Sequence, residues 1–141
     1  MKRILVVDDN ASIRRLIRKM LKKLPVQVKE AEDGEQALFL HEHETYDLVL
    51  TDLVLPRIDG GMLARSLRCR FPTLPVIMMS GQFAAGEQSC NYILFLKKPF
   101  DGKTLVRAVC SALGVAAGNQ VPAAGQREAT ILPELETVNN H

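Results

Sequence analysis

Five side chains in this 141-residue chain can hold cations or move phosphoryl groups: Asp8, Asp9, Asp52, Ser80 and Lys98. Each closes a short apolar run. "ILVV" precedes the Asp8–Asp9 pair, "DLVLT" precedes Asp52, "VIMM" precedes Ser80, and "ILFLK" precedes Lys98. In an open parallel sheet such strand ends gather at one edge, where ligands bind. Three carboxylates held about 5 Å apart repel by roughly 3 kcal/mol per pair at an effective dielectric near 20, so a cation is needed to balance them. Mg2+ fits best, because it prefers hard oxygen ligands and takes one or two carboxylates while keeping several waters. Beside such an ion Asp52 becomes a nucleophile able to take a phosphoryl group as an acyl phosphate. Lys98 adds a positive charge, and Ser80, next to the small Gly81, adds a hydroxyl.

The elements that must position these groups alternate along the chain, which points to an α/β fold with a parallel sheet covered on both faces. Strands are read at "RILVV", "VQVKEA", "YDLVLTD", "VIMM" and "YILFLK", several of them continuous apolar runs as expected of strands buried on both sides. Between the first two, Ile13, Leu16, Ile17, Met20, Leu21 and Leu24 recur at helical spacing, and Pro25 stops the run. "GEQALFLHEHE", "GGMLARSLRCRF" and "GKTLVRAVCSAL" read as further helices, with Gly114 at the last terminus. His41 and His43 lie two apart on a helix, do not face each other, and are read as solvated.

With 47% hydrophobic residues, the chain suffices for one domain with a full core. No run approaches the length of a membrane span and the N-terminus lacks a signal-peptide core, so the expectation is a cytoplasmic protein. Three well-separated cysteines, Cys69, Cys90 and Cys110, give neither zinc spacing nor a disulfide framework and are read as reduced, partly buried thiols. A net charge of +2 is too slight to argue for nucleic acid, although Arg14, Arg15, Arg18, Lys19, Lys22 and Lys23 crowd into one segment.

"ILVVDDN", "DLVLTDLVLPRIDG", "PVIMMSG" and "FLKKPF" together resemble the receiver domain of bacterial two-component response regulators. The resemblance covers about residues 1–113 and implies a flavodoxin-like, doubly wound, five-stranded parallel sheet, (βα)5. It implies Asp52 as phosphoacceptor for a histidine kinase or phosphotransfer domain. Mg2+ would be held directly by Asp9, largely through water by Asp8, and by Asp52 and the backbone carbonyl of Val54. Lys98 would pair with the phosphoryl group, and Pro99 would follow a cis bond. Ser80 and Phe95 match the family's switch pair, while an aromatic in a strand also reads as core. The resemblance further implies docking of the donor through the basic first helix (Arg14, Arg15, Arg18, Lys19). It implies self-catalysed transfer with slow hydrolysis rather than ordinary turnover, influenced by Val54 and Gln82.

Ser80 and Lys98 are only 18 positions apart, about one helical turn fewer than the family has. A shortened or irregular fourth helix is therefore expected, leaving an apolar patch at Ile93 and Leu94 as a possible dimer or partner surface. Residues 114–141 change to a Gly-, Ala-, Pro- and Gln-rich composition, read as a flexible tail or linker with no output domain. Within it, Ile131, Leu135 and Val138 fall at near-helical spacing. Three other readings stand beside a stand-alone receiver: a receiver excised from a hybrid kinase or longer regulator, a degenerate receiver that only binds partners, and an Mg2+-dependent phosphatase with an aspartyl nucleophile. "VVDDN" lacks the two-residue spacing of carboxylates typical of that last class.

Overall fold

The computed structural model describes residues 1–81 and 94–114. Along the chain run β1 (Lys2–Val7), α1 (Ala11–Met20), β2 (Val26–Ala31), α2 (Gly34–His43), β3 (Leu48–Asp52), α3 (Gly60–Arg70), β4 (Val76–Ser80), β5 (Leu94–Lys97) and α4 (Gly102–Leu113). All strand pairs are parallel, in the order β2-β1-β3-β4-β5. The expected five-stranded sheet is therefore present. The expected fourth helix falls at residues outside the described ones, as do Gln82, Cys90, Ile93 and the proposed tail beyond Gly114.

Alternating side chains divide the interior into two layers. Leu5, Val7, Val49, Val76, Met78 and Phe95 face α2 and α3, packing with Ala37, Leu63, Ala64 and Leu67. Ile4, Val6, Leu48, Leu50, Ile77, Met79 and Leu96 face α1 and α4, against Ile17, Leu21, Leu105 and Val109. Each such fully buried aliphatic side chain contributes roughly 1.5–3 kcal/mol, which explains why β3 and β4 read as unbroken apolar runs.

Each described helix begins on an Asn or Asp whose side chain accepts first-turn amide hydrogens: Asn10, Asp33, Asp59 and Asp101. Gly114 ends α4 in the left-handed conformation (φ 72°), as its position in the sequence suggests. Leu16 departs from the expected apolar stripe and is 46% exposed. At about 100° per residue it lies on the flank of the face centred on Ile13, Ile17, Met20 and Leu24, too far round to reach the sheet.

His41 also departs from expectation. It is 4% exposed, with its ring 4.4 Å from that of Phe71 and 5.4 Å from that of Tyr46. Neither ring nitrogen has a hydrogen-bond partner among the described residues. Of the pair, His43 is the exposed one, its Nδ1–H donating to the Phe39 carbonyl at 2.8 Å. Cys69 is exposed and Cys110 buried. Leu94 is 5% exposed, so it does not contribute to an open apolar patch; its strand position turns it onto the layer under α4.

Candidate functional site

The chain leaves β1 for the outer strand β2 and returns over β1 to β3, so the carboxyl ends of β1 and β3 are neighbours where the strand order reverses. Asp8 and Asp9 follow β1, and Asp52 ends β3. One carboxylate oxygen from each residue lies within 4.8 Å of one from each of the other two. From β5, two strands away from β3, Lys98 reaches back: its Nζ is 2.9 Å from Asp8 Oδ2 and 3.3 Å from Asp52 Oδ2. Ser80 ends β4 between them, and its backbone carbonyl accepts the Lys98 amide hydrogen at 2.7 Å. Three chain segments thus bring charged side chains together, with the end of β4 lying between two of them.

The pocket is partly dry. Asp8 is 1% exposed, Ser80 1% and Asp52 8%, while Asp9 is exposed to solvent. Asp8 is fixed on both oxygens, with Oδ1 accepting the Asn10 amide hydrogen at 2.9 Å and Oδ2 meeting Lys98. Among the described residues Asp52 Oδ1 accepts a long bond, 3.3 Å, from the Val54 amide. Burial raises the Asp52 pKa above its ordinary value; the Lys98 charge opposes the rise and the Asp8 charge adds to it. Burial alone would lower the Lys98 pKa, but its hydrogen bond and charge contact with Asp8, and then the Asp52 charge, carry it above the ordinary value.

The loop after β3 shapes the remaining wall. Gly60 opens α3 directly against the strand end: a Cβ there would overlap the Asp52 carbonyl oxygen and come within 2.8 Å of the Leu53 Cα. Arg57 has a positive φ of 63°, and the Ile58 amide hydrogen is donated to the Pro56 carbonyl at 2.7 Å. This is a strained γ-turn for a residue with a side chain. Its guanidinium bonds Asp33 at 2.7 Å, tying the loop to the start of α2. The Val54 side chain is 66% exposed. The Lys98–Pro99 bond is cis. Phe95 is 8% exposed and packs in the layer under α2 and α3.

Sequence reasoning missed the parts of the site that hold Asp8 from behind. Arg14, half-buried, donates through Nη1 to the Asp8 carbonyl at 2.7 Å and through Nε to Glu30 at 2.9 Å. Arg18 bonds the other Glu30 oxygen at 2.8 Å. Two of the four basic residues assigned to partner docking are therefore engaged within the domain. Arg15 and Lys19 are exposed, with no ion pair among the described residues. The Asn10 role was legible, since an Asn just before an apolar helical repeat signals a cap; the Glu30 pairing was not.

The donor set suits a hard divalent cation. Three clustered carboxylates against one ammonium leave an excess of negative charge, and the raised Asp52 pKa shows that Lys98 alone does not offset the cost of ionising that carboxyl.

Comparison with known proteins agrees with this geometry. The family model described as "Response regulator receiver domain" matches residues 4–110. Among curated relatives, the transcriptional regulatory protein ResD of Bacillus subtilis (strain 168) is 37% identical over 120 residues, covering 79% of this chain and 48% of that protein. The sensor protein EvgS of Escherichia coli (strain K12) is 38% identical over 100 residues, covering 68% of this chain and 8% of that protein. The response regulator TrrA from Thermotoga maritima, solved in complex with Mg2+-BeF, superposes with a TM-score of 0.75 at 31% identity, covering 80% of this chain and 100% of that one. The chain belongs to the response regulator receiver domain family, the signal-receiving module of two-component systems. It spans about half the length, or less, of the curated relatives it matches. Among the described residues no helix is long and apolar enough to cross a membrane.

Proposed function

We propose that this domain takes a phosphoryl group onto Asp52 from a phosphohistidine of a histidine kinase or phosphotransfer domain, and later loses it by hydrolysis. The observation that carries this reading is the meeting of Asp8, Asp9 and Asp52 within 4.8 Å, with the Lys98 ammonium 3.3 Å from the Asp52 carboxylate. In the transfer an Asp52 carboxylate oxygen bonds to phosphorus, the P–N bond to the donor imidazole breaks, and the imidazole leaves carrying its electron pair and takes up a proton. Hydrolysis reverses the state: water attacks phosphorus, inorganic phosphate leaves, and the Asp52 carboxylate is restored.

Lys98 neutralises charge on the arriving phosphoryl oxygens, exchanging part of its contact with Asp8 and Asp52 for a contact with them. Mg2+, held by Asp9, Asp52 and the Val54 carbonyl, with Asp8 acting through water, would supply the remaining positive charge. That TrrA, 31% identical, was solved with Mg2+-BeF supports this assignment. Ser80, at the end of the neighbouring strand, supplies a hydroxyl to the phosphoryl group, and Phe95 follows as the aromatic partner of the switch. The donor approaches over the exposed part of α1, with Arg15 and Lys19 as its free cations. Residues 1–113 constitute the receiver, and 114–141 a tail that follows it. The output runs through protein contacts.

Incubation with a small phosphoryl donor and Mg2+ tests the reading. An acid-stable, base-labile phosphoryl mass gain is expected on the wild-type chain, and none on Asp52→Asn. A gain that persists in Asp52→Asn, or that maps to Asp8 or Asp9, overturns it.

A further inference from the structure

At the opposite edge of the sheet from Asp52 lies a second feature. A groove of about 770 Å3 runs between α1 and the outer strand β2, near the amino ends of the strands. Arg15 and Lys19 line it from the helix, Lys22 from the turn that follows it, and Lys29 from the strand. All four are exposed and none has an ion pair among the described residues. The neighbouring Arg3 and Arg18 are already paired, with Glu44 and Glu30.

Among the described residues strand β2 is the edge of the sheet, paired with β1 alone. The Asp8 amide hydrogen bonds the Ala31 carbonyl, which turns that residue's backbone groups toward β1. By alternation those of Val26, Val28 and Glu30 turn to the open side. Arg18 confirms the direction, donating from Nη2 to the Val28 carbonyl at 3.0 Å. The groove thus combines a backbone edge whose Val28 amide and Glu30 groups face outward, with the Val26 amide bonded to the Leu24 carbonyl at 2.8 Å and the Val28 carbonyl to Arg18, the half-buried side chains of Val26 and Val28, and cations without an ion pair among the described residues on α1 and the turn after it.

We infer that this groove binds an extended acidic segment of a partner protein, added along β2 as a sixth strand, with acidic side chains at every second position meeting Arg15, Lys19 and Lys22. The alternation follows from strand geometry, since only every second side chain of an added strand points to the α1 side. Charge selects the occupant. A second copy of this chain paired edge to edge would set two β2 strands and their Lys29 side chains against each other, a like-charge arrangement that destabilises such a pair. The added strand takes over the Val28 carbonyl from Arg18, which keeps its bond to Glu30. The inference does not depend on chemistry at Asp52.

The test uses the full chain and two labelled peptides of identical composition, one alternating Glu with Val or Thr, the other with its glutamates in one block. The alternating peptide is expected to bind roughly tenfold tighter or more, to weaken with added salt, and to slow hydrogen exchange at the Val28 and Glu30 amides. The Lys19→Glu, Lys22→Glu double variant, with its melting midpoint checked against wild type, is expected to lose roughly tenfold or more of that affinity. Should that variant melt early, Lys22→Ser alone reads the same loss on a milder scale. Equal affinity for both peptides reduces the surface to a solvated cationic face and overturns the inference. Tighter binding of single-stranded nucleic acid or inorganic polyphosphate than of the alternating peptide overturns it in favour of a general polyanion site.

Discussion

The Lys98 ammonium lies 2.9 Å from Asp8 Oδ2, a contact between residues 90 positions apart that joins the two ends of the domain inside one pocket. Asp8 is 1% exposed, and Lys98 is the cation that meets its Oδ2. Removing one member of a buried pair costs about 3 kcal/mol or more, because the other is left uncompensated. Lys98→Met is therefore expected to destabilise the metal-free protein by about 3 kcal/mol in urea unfolding. Adding Asp8→Asn to it should recover a large part of the loss. Additive single effects in that double-mutant cycle would show that the two groups do not stabilise each other.

Asp52 is expected to behave in the opposite sense. Its carboxyl has a raised pKa, chiefly from burial. A group raised in this way contributes its stabilisation fully below its unfolded value near 3.8 and loses it as pH climbs through the folded value. Asp52→Asn, which never ionises, should be more stable than wild type at pH 7 in the presence of a chelator, by about 1 kcal/mol. The difference should vanish near pH 3. Mg2+ should raise the wild-type melting midpoint at pH 7 and do much less for Asp52→Asn or Asp9→Asn.

His41 gives the fold an acid-sensitive point away from the pocket. Burial lowers its pKa, and the charge of Arg70 adds to the effect. The neutral ring is thus favoured, and the associated stability is present above the unfolded value near 6.5 and lost as pH falls through the folded one. His41→Phe should keep stability within about 1 kcal/mol at pH 7.5 and lose less than wild type on acidification to pH 5. Parallel pH profiles for the two proteins would remove His41 from that role.

Tyr46 supplies the alkaline counterpart. Burial, and then its hydrogen bond to Glu44 at 2.7 Å, push its pKa up to about 12. The protonated ring is favoured in the fold, so its contribution holds below pH 10 and declines as pH rises toward 12. Phenolate absorbance titration should place this tyrosine well above a free one, and Tyr46→Phe should flatten the stability profile over that range.

Much of this was readable before any coordinates. The strands were legible because both faces of β3 and β4 are covered, leaving apolar runs that are polar only near their carboxyl ends, at Thr51, Asp52 and Ser80. Asp8, Asp9, Asp52 and Lys98 were legible because each closes such a run, and a parallel sheet gathers those ends. His41 was misread, since nothing in "LHEHE" tells which histidine will meet the rings of Tyr46 and Phe71. Arg14 and Arg18 looked like surface charge because their partner Glu30 belongs to a different strand, and only the crossing of α1 over β2 brings the three together. Such pairings are tertiary facts with no local trace.

Gly60 has a mechanical meaning. With α3 pressed onto the carbonyl of residue 52, the Gly60 amide hydrogen-bonded to Leu53 at 2.8 Å, and the Leu53 amide bonded to Met79 at 2.7 Å, that corner of the molecule is a stiff anvil. Under the load of the transfer to Asp52 proposed above, movement is expected on the Ser80 and Lys98 side rather than at this corner. Even the smallest side chain at position 60 would wedge the anvil open and let the load dissipate.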